Sequence, residues 1–164
     1  MELKGKRIIV TGSARRMGAA TVRAYVNAGA EVIAMDITDD SGNEVVKEAN
    51  ASGQGKASYM HVDISDRDGV ETGFAEAVKS LGGLDALAHP AAIQRTSSAS
   101  DVSVEDWDLM FAVNVRGTML TNQVAHRYLK DSGGGSIINF GSISGLRPEV
   151  SSAAYSAAKG AVHS

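Results

Sequence analysis

The stretch Thr11-Gly12-Ser13-Ala14-Arg15-Arg16-Met17-Gly18 constrains this chain more than any other. It follows the β-branched run Ile8, Ile9, Val10 and precedes a helical pattern beginning near Met17, so strand, Gly-containing turn and helix N-terminus come in that order. Such an order builds a phosphate cradle: free backbone N–H groups and the positive end of a helix dipole converge on an anion, and glycines let the backbone approach it. Gly12 and Gly18 fit the part. Arg16 stands where such turns usually carry a middle glycine. An ordinary strand-to-helix turn has the same appearance, so the rest of the chain must decide between the two.

The 164 residues are enough for one substantial core, and no linker-like stretch divides them, which predicts a single domain over residues 1–164. The formal charge is -3 with signs interspersed, so no basic stripe argues for nucleic acid or an anionic membrane surface. Without cysteine there is no disulfide, no thiolate catalyst and no cysteine-held metal, and no metal is expected. Met1 to Arg7 is charged and runs directly into the first strand, with no targeting segment. No apolar run approaches the roughly 18 residues of a membrane span. A soluble, cytoplasmic protein is the expectation.

Strand and helix patterns alternate along the chain, predicting an α/β protein: a Rossmann-like, doubly wound parallel sheet with helices on both faces and about five strands. Lys6 to Thr11 reads as a buried strand, Met17 to Ala28 as a helix stopped by Gly29, and Glu31 to Met35 as a second strand ending at Asp36. An acid there accepts hydrogen bonds from an adenosine ribose and repels a 2′-phosphate, which favours NAD over NADP. Arg15 argues the other way, since a guanidinium can serve a phosphate, and an ordinary surface acid beside Asp39 and Asp40 is the bland alternative. Asp39 or Asp40 is expected to cap a helix through about Ala51. Ala57 to Val62 forms a third strand, leading into Asp63 and Ile64. That pair can hold an adenine amino edge and flank its ring, or simply cap the next helix.

Asp66 to Ser80 is helical, and Leu84 to Ala88 is a fourth strand followed by His89, Pro90, Ala91 and Ala92. His89, with no ligand cluster or nucleophile beside it, reads as a backbone hydrogen-bond partner rather than a catalyst. Ile93 to Ser100 is a polar loop of a length suited to covering a ligand. Ser103 with Asp106 resembles a capping box opening a long helical region. Asn114 lies inside that region, where Asn is unfavourable and needs a backbone partner or a water.

Ser136 to Phe140 is a fifth strand, read as central, that leads to Ser142, and a final helix carries Tyr155 and Lys159 one turn apart on one face. A nearby ammonium stabilises a phenolate and suits Tyr to general acid–base work. Ser142, at a strand's carboxyl end, can polarise a carbonyl or hold an alkoxide. Each feature alone is commonplace, but their concordance with the cofactor-like turn is not.

At these residues the chain closely resembles the classical short-chain dehydrogenase/reductase family. Thr11 to Gly18 is similar to its cofactor-binding turn, Leu84 to Ala92 to the strand leading to its Asn-Asn-Ala-Gly segment, and Asn114, Ser142, Tyr155 and Lys159 to its catalytic tetrad. The resemblance implies hydride exchange between a nicotinamide and a secondary alcohol or ketone. Tyr155 would act as acid and base, Lys159 would hold the nicotinamide ribose, Ser142 would bind the reacting oxygen, and Asn114 would hold a water of a proton relay. It also implies NAD contacts from Gly12, Ser13, Arg15, Arg16, Met17, Gly18, Asp36, Ile37, Asp63, Ile64, Pro90, Ala91 and Ala92, besides Tyr155 and Lys159. A small alcohol or ketone would be the substrate, and a homodimer or homotetramer the assembly.

The chain departs from the family at Arg16, at His89 and Pro90 where two asparagines are usual, and at Ala92 where glycine is usual. It also ends at Ser164, where family members continue through further strands and a substrate lobe. The expectation is therefore a C-terminally truncated member with an unpaired fifth strand and weak activity as it stands. The alternatives are a dinucleotide-binding module without catalysis, or a scaffold.

Overall fold

The structure, a computed structural model, describes residues 3–164. Strands β1 (Arg7–Thr11), β2 (Glu31–Asp36), β3 (Lys56–His61), β4 (Ala86–His89) and β5 (Ser136–Asn139) form one parallel sheet in the order β3-β2-β1-β4-β5. They are connected through helices α1 (Arg16–Asn27), α2 (Asp39–Ser52), α3 (Arg67–Leu81), α4 (Val104–Phe111) and α5 (Thr118–Asp131), and α6 (Ala153–His163) follows β5. Parallel neighbours need such crossovers, and this is the expected Rossmann-like α/β fold. Among the described residues no helix is long and apolar enough to cross a membrane.

The pleat of β1 divides the core between the two faces of the sheet. Ile8 and Val10 join Val22 and Val26 of α1, Val32 of β2 and Val45 of α2, whereas Ile9 joins Phe74 of α3, Leu87 of β4, and Leu120 and Val124 of α5. Both faces of β1 and β2 are buried, which is why those strands read as continuous apolar runs. Each large side chain removed from water there stabilises the fold by about 1.5–3 kcal/mol. β5 differs: it is the sheet's last strand among the described residues, and Ile138 is 43% exposed. Ser142 thus follows an edge strand: among the described residues the expected unpaired fifth strand is observed, and the central position is not.

Local signals held unevenly. Asp66 caps α3 by accepting from the N–H groups of Asp68 and Gly69, and Ser103 caps α4 by accepting from Asp106 N at 3.1 Å. The reciprocal half of that capping box is missing, because the Asp106 carboxylate accepts from Arg95 at 2.6 Å instead. Neither Asp39 nor Asp40 caps α2; Thr38 occupies that place, and the Asp39 carboxylate turns to Tyr59 and His61. The long helical region is also interrupted. A π-helical turn, Ala112–Gly117, joins α4 to α5 and carries Asn114.

Candidate active site

β1, β2 and β4 deliver Thr11, Asp36 and His89 to the same end of the sheet, their carboxyl ends. Between β1 and β4 the strand order reverses direction, and loops leaving in opposite directions open a crevice there. Gly12 lines it with φ +60, and a Cβ on Gly12 would stand 2.5 Å from the Cα of Ala91. A Cβ on Gly18 would fall on the carbonyl oxygen of Gly12. Two glycines are therefore required by closeness alone.

The turn has the donor set an anionic cofactor needs. No side chain caps the first turn of α1 and no acid lies in it, so its leading N–H groups lack the usual carboxylate or hydroxyl partner. The Ser13 hydroxyl is buried with no partner among the described residues. Arg16, the first residue of α1, has φ 47, a left-handed conformation strained for a side chain. Arg15, Arg16 and Met17 are all exposed around this turn.

Asp36 is fixed by two backbone donors, Ala14 N at 2.9 Å and Thr38 N at 3.0 Å, so the carboxylate bridges the turn after β1 to the loop after β2. Arg15 reaches the same loop and donates to the Thr38 hydroxyl at 3.2 Å. Ile37 beside it is 59% exposed, an apolar surface at the site's edge. The Asp63 carboxylate accepts from the N–H and hydroxyl of Ser65 and remains exposed. Ile64 is 6% exposed and packs into the core, so little of its side chain faces the crevice.

Asn114 is buried, and its amide pairs twice with one backbone unit: Nδ2 donates to Ile93 O at 2.8 Å and Oδ1 accepts from Ile93 N at 2.9 Å. Of the two partners expected for a mid-helix Asn, the structure supplies the backbone one. The loop after β4 is fastened again at Ser97, whose N–H donates to Ser151 O while its carbonyl accepts from Ala153 N. Gln94, Arg95 and Thr96 remain exposed between the two fastenings.

Lys159 is buried, and its ammonium donates to Phe140 O at 2.6 Å while lying 5.9 Å from the centre of the Tyr155 ring. Burial holds its pKa below the ordinary lysine value. The bond to Phe140 ties α6 to the segment that presents Ser142. The Ser142 hydroxyl accepts from Ser144 N at 3.2 Å, capping a short 3₁₀ turn, Ile143–Gly145. Pro90 and Ala91 lie behind Gly12 at the end of β4, and Ala92 is exposed beyond them.

His89 departs from expectation. Its partners are side chains, not backbone: Nδ1 lies 2.7 Å from Thr11 Oγ1, and Nε2 lies 3.1 Å from Thr118 Oγ1. Burial, with a smaller contribution from the Lys159 charge, lowers its pKa to about 3, so the ring is neutral at ordinary pH. Thr118 and Thr121 are the site residues that sequence reasoning missed, and Thr11 was read as part of the turn but not as a partner of His89. Two threonines at i and i+3 just beyond Asn114 were the available signal.

Residues 6–164 match the family model described as short chain dehydrogenase. The chain is 36% identical over 160 residues to a 2,5-dichloro-2,5-cyclohexadiene-1,4-diol dehydrogenase of Sphingobium indicum, covering 98% of this chain and 64% of the relative. It is 36% identical to a 3-alpha-(or 20-beta)-hydroxysteroid dehydrogenase of Mycobacterium tuberculosis, covering 98% of this chain and 60% of the relative. A short-chain type dehydrogenase/reductase from Mycobacterium ulcerans superposes with a TM-score of 0.95 at 27% identity, over 99% of this chain and 60% of that structure. The chain belongs to the short-chain dehydrogenase family, a family of oxidoreductases that typically bind a nicotinamide dinucleotide. It spans 60% to 64% of the length of these relatives.

Proposed function

We propose that the protein is an NAD-dependent oxidoreductase that interconverts a secondary alcohol and a ketone, with Tyr155 as general acid–base. The observation that carries this reading is the bond from Lys159 Nζ to Phe140 O, since it fastens the Tyr155–Lys159 face of α6 to the Ser142 segment. Gly12, Ser13, Arg15, Arg16, Met17 and Gly18 would hold the pyrophosphate. Asp36 with Ile37 would hold the adenosine ribose, Asp63 with the main chain of Ile64 the adenine, and Pro90 to Ala92 the far side. Bound nicotinamide would supply the hydride acceptor or donor.

The protein's own part is proton handling and orientation. The Ser142 hydroxyl accepts from Ser144 N, which leaves its proton for the substrate oxygen. The Tyr155 hydroxyl gives its proton to a ketone oxygen in reduction, and in oxidation the Tyr155 phenolate takes the proton of an alcohol. The Lys159 ammonium has three protons and donates one to Phe140, leaving two for a ribose hydroxyl and for Tyr155. The Asn114 side chain is committed to Ile93, so a relay water would hang on its main-chain oxygen instead. The names of the two curated relatives, a cyclic diol dehydrogenase and a hydroxysteroid dehydrogenase, support a cyclic secondary alcohol as the substrate class.

Calorimetry with NAD and NADP, run beside nicotinamide absorbance with a panel of cyclic secondary alcohols in the full-length polypeptide, tests the proposal. NAD should bind more tightly than NADP, and Tyr155→Phe should keep that binding while turnover falls by about 10²–10⁴-fold. Equal or tighter NADP binding overturns the role of Asp36. NAD binding without turnover in the unmodified protein selects the non-catalytic binding module.

A further inference from the structure

Thr11, His89, Thr118 and Asn114 come from three separate elements, β1, β4 and the π turn with its continuation into α5, and they form an unbroken hydrogen-bonded line. The direction of every bond in it can be assigned. Thr118 Oγ1 donates its one proton to Asn114 O at 2.8 Å, so at the 3.1 Å contact with His89 Nε2 the imidazole must be the donor. A neutral ring with its proton on Nε2 leaves Nδ1 as acceptor, and Thr11 Oγ1 at 2.7 Å donates to it. Thr121 does not compete: its hydroxyl donates to Gly117 O at 2.9 Å, and its approach to Nδ1 is 3.3 Å.

Thr11 immediately precedes Gly12, whose Cβ position lies 2.5 Å from the Cα of Ala91, and Asn114 fastens the loop after β4 through Ile93. We propose that His89 is a positioning residue that couples the turn after β1 to the Asn114 segment through the one-way chain Thr11 to His89 Nδ1, His89 Nε2 to Thr118, and Thr118 to the Asn114 carbonyl oxygen. The functional weight of that coupling rests on the proposed oxidoreductase reading, in which the first element seats the cofactor and the second supports the proton relay. The chain runs in one direction, so each donor polarises the next. An imidazole suits the place because its two nitrogens act as acceptor and donor on opposite sides of a rigid ring. The nearby Lys159 charge disfavours a second proton on that ring.

Two measurements on the chain without cofactor test the coupling. Nitrogen-15 NMR of the imidazoles should show His89 protonated at Nε2, bare at Nδ1 and unchanged between about pH 5.5 and 8.5, whereas a group of ordinary pKa titrates near 6.5. A ring protonated at Nδ1, or one that titrates in that range, overturns the proposal. The second measurement is hydrogen exchange of the Ile93 amide, at the far end of the line from Thr11. Thr11→Val should speed it by about fivefold or more, and the effect should vanish in a Thr118→Val background because the line is already cut. Thr118→Ser, which restores the hydroxyl, should restore the response to Thr11→Val. Exchange at Ile93 indifferent to Thr11→Val, or two effects that simply multiply, overturns the coupling. Calorimetry with NAD stands apart from both measurements: absence of binding would remove the functional reading and leave the hydrogen-bonded line to be judged by NMR and exchange.

Discussion

The turn after β1 and the end of β4 face each other across the same crevice, with the Cβ position of Gly12 2.5 Å from the Cα of Ala91, yet they are held in different ways. Closeness shapes the turn: Gly12 and Gly18 are where they are because no further atom fits. Partners hold the end of β4, where His89 and Asn114 are buried polar groups fixed by hydrogen bonds. A region shaped by closeness should fail when an atom is added. One held by partners should fail when a donor or acceptor is removed.

The largest effect is expected at Gly18. In Gly18→Ala the new Cβ falls on Gly12 O and lies 3.0 Å from Ser13 Cα, so backbone and not a flexible side chain must move. Overpacking of this kind costs about 3 kcal/mol, which for a chain of this size lowers Tm by about 6–12 °C. Thermal melting reads it directly. A loss under about 1 kcal/mol would mean that the turn is not set by closeness, and the contrast with β4 would collapse.

The next effect belongs to His89 and appears on acidification. Its folded pKa of about 3 lies below the ordinary value of 6.5, so the unfolded chain binds a proton that the folded one refuses. The stability it contributes is complete above about pH 6.5 and is lost as pH falls from there toward about 3. At pH 5 the loss should be about 2 kcal/mol relative to pH 7. Denaturant unfolding at the two pH values, compared with His89→Gln, isolates this slope from those of the carboxylates. The variant should be less stable at pH 7 and less sensitive to acid; equal slopes would show that His89 is not held neutral by its surroundings.

The same contrast explains which parts of the site were legible in the sequence. Strand, Gly12, Gly18 and helix lie within a dozen residues, so steric demand is written locally and the turn can be read. Tyr155 and Lys159 share a helical face, again a local relation. The partners of His89 come from Thr11 and Thr118, far away along the chain in both directions, and no periodicity announces them. Asn114 was legible as an anomaly because a buried amide in a helix lacks an easy partner, but neither Ile93 nor the π turn that aims the side chain there could be named. The run Ile137, Ile138 carries no local mark of its place in the sheet, so the central position read for the strand before Ser142 had no support from spacing, whereas its lack of a further neighbour was expected. The sheet order places that run at the edge, half in contact with solvent.

Arg16 is where the two kinds of constraint meet, and it gives the smallest expected effect. Its φ of 47 places a side chain in the left-handed region, at a cost of about 1–2 kcal/mol. Its charge at the positive end of α1, where no acid offsets it, adds about 0.3–1 kcal/mol. Glycine relieves both terms but returns about 0.4–1 kcal/mol through the greater freedom of the unfolded chain. Arg16→Gly should therefore be more stable by about 1 kcal/mol, a rise in Tm of about 2–4 °C. Calorimetry with NAD on the same variant then separates two roles for the guanidinium. Tighter NAD binding would mean that the side chain obstructs a turn shaped by closeness. Weaker binding despite greater stability would mean that Arg16 is a partner of the pyrophosphate, kept in a strained conformation because the bound anion offsets the strain. In that case the turn, too, is held in part by what it binds.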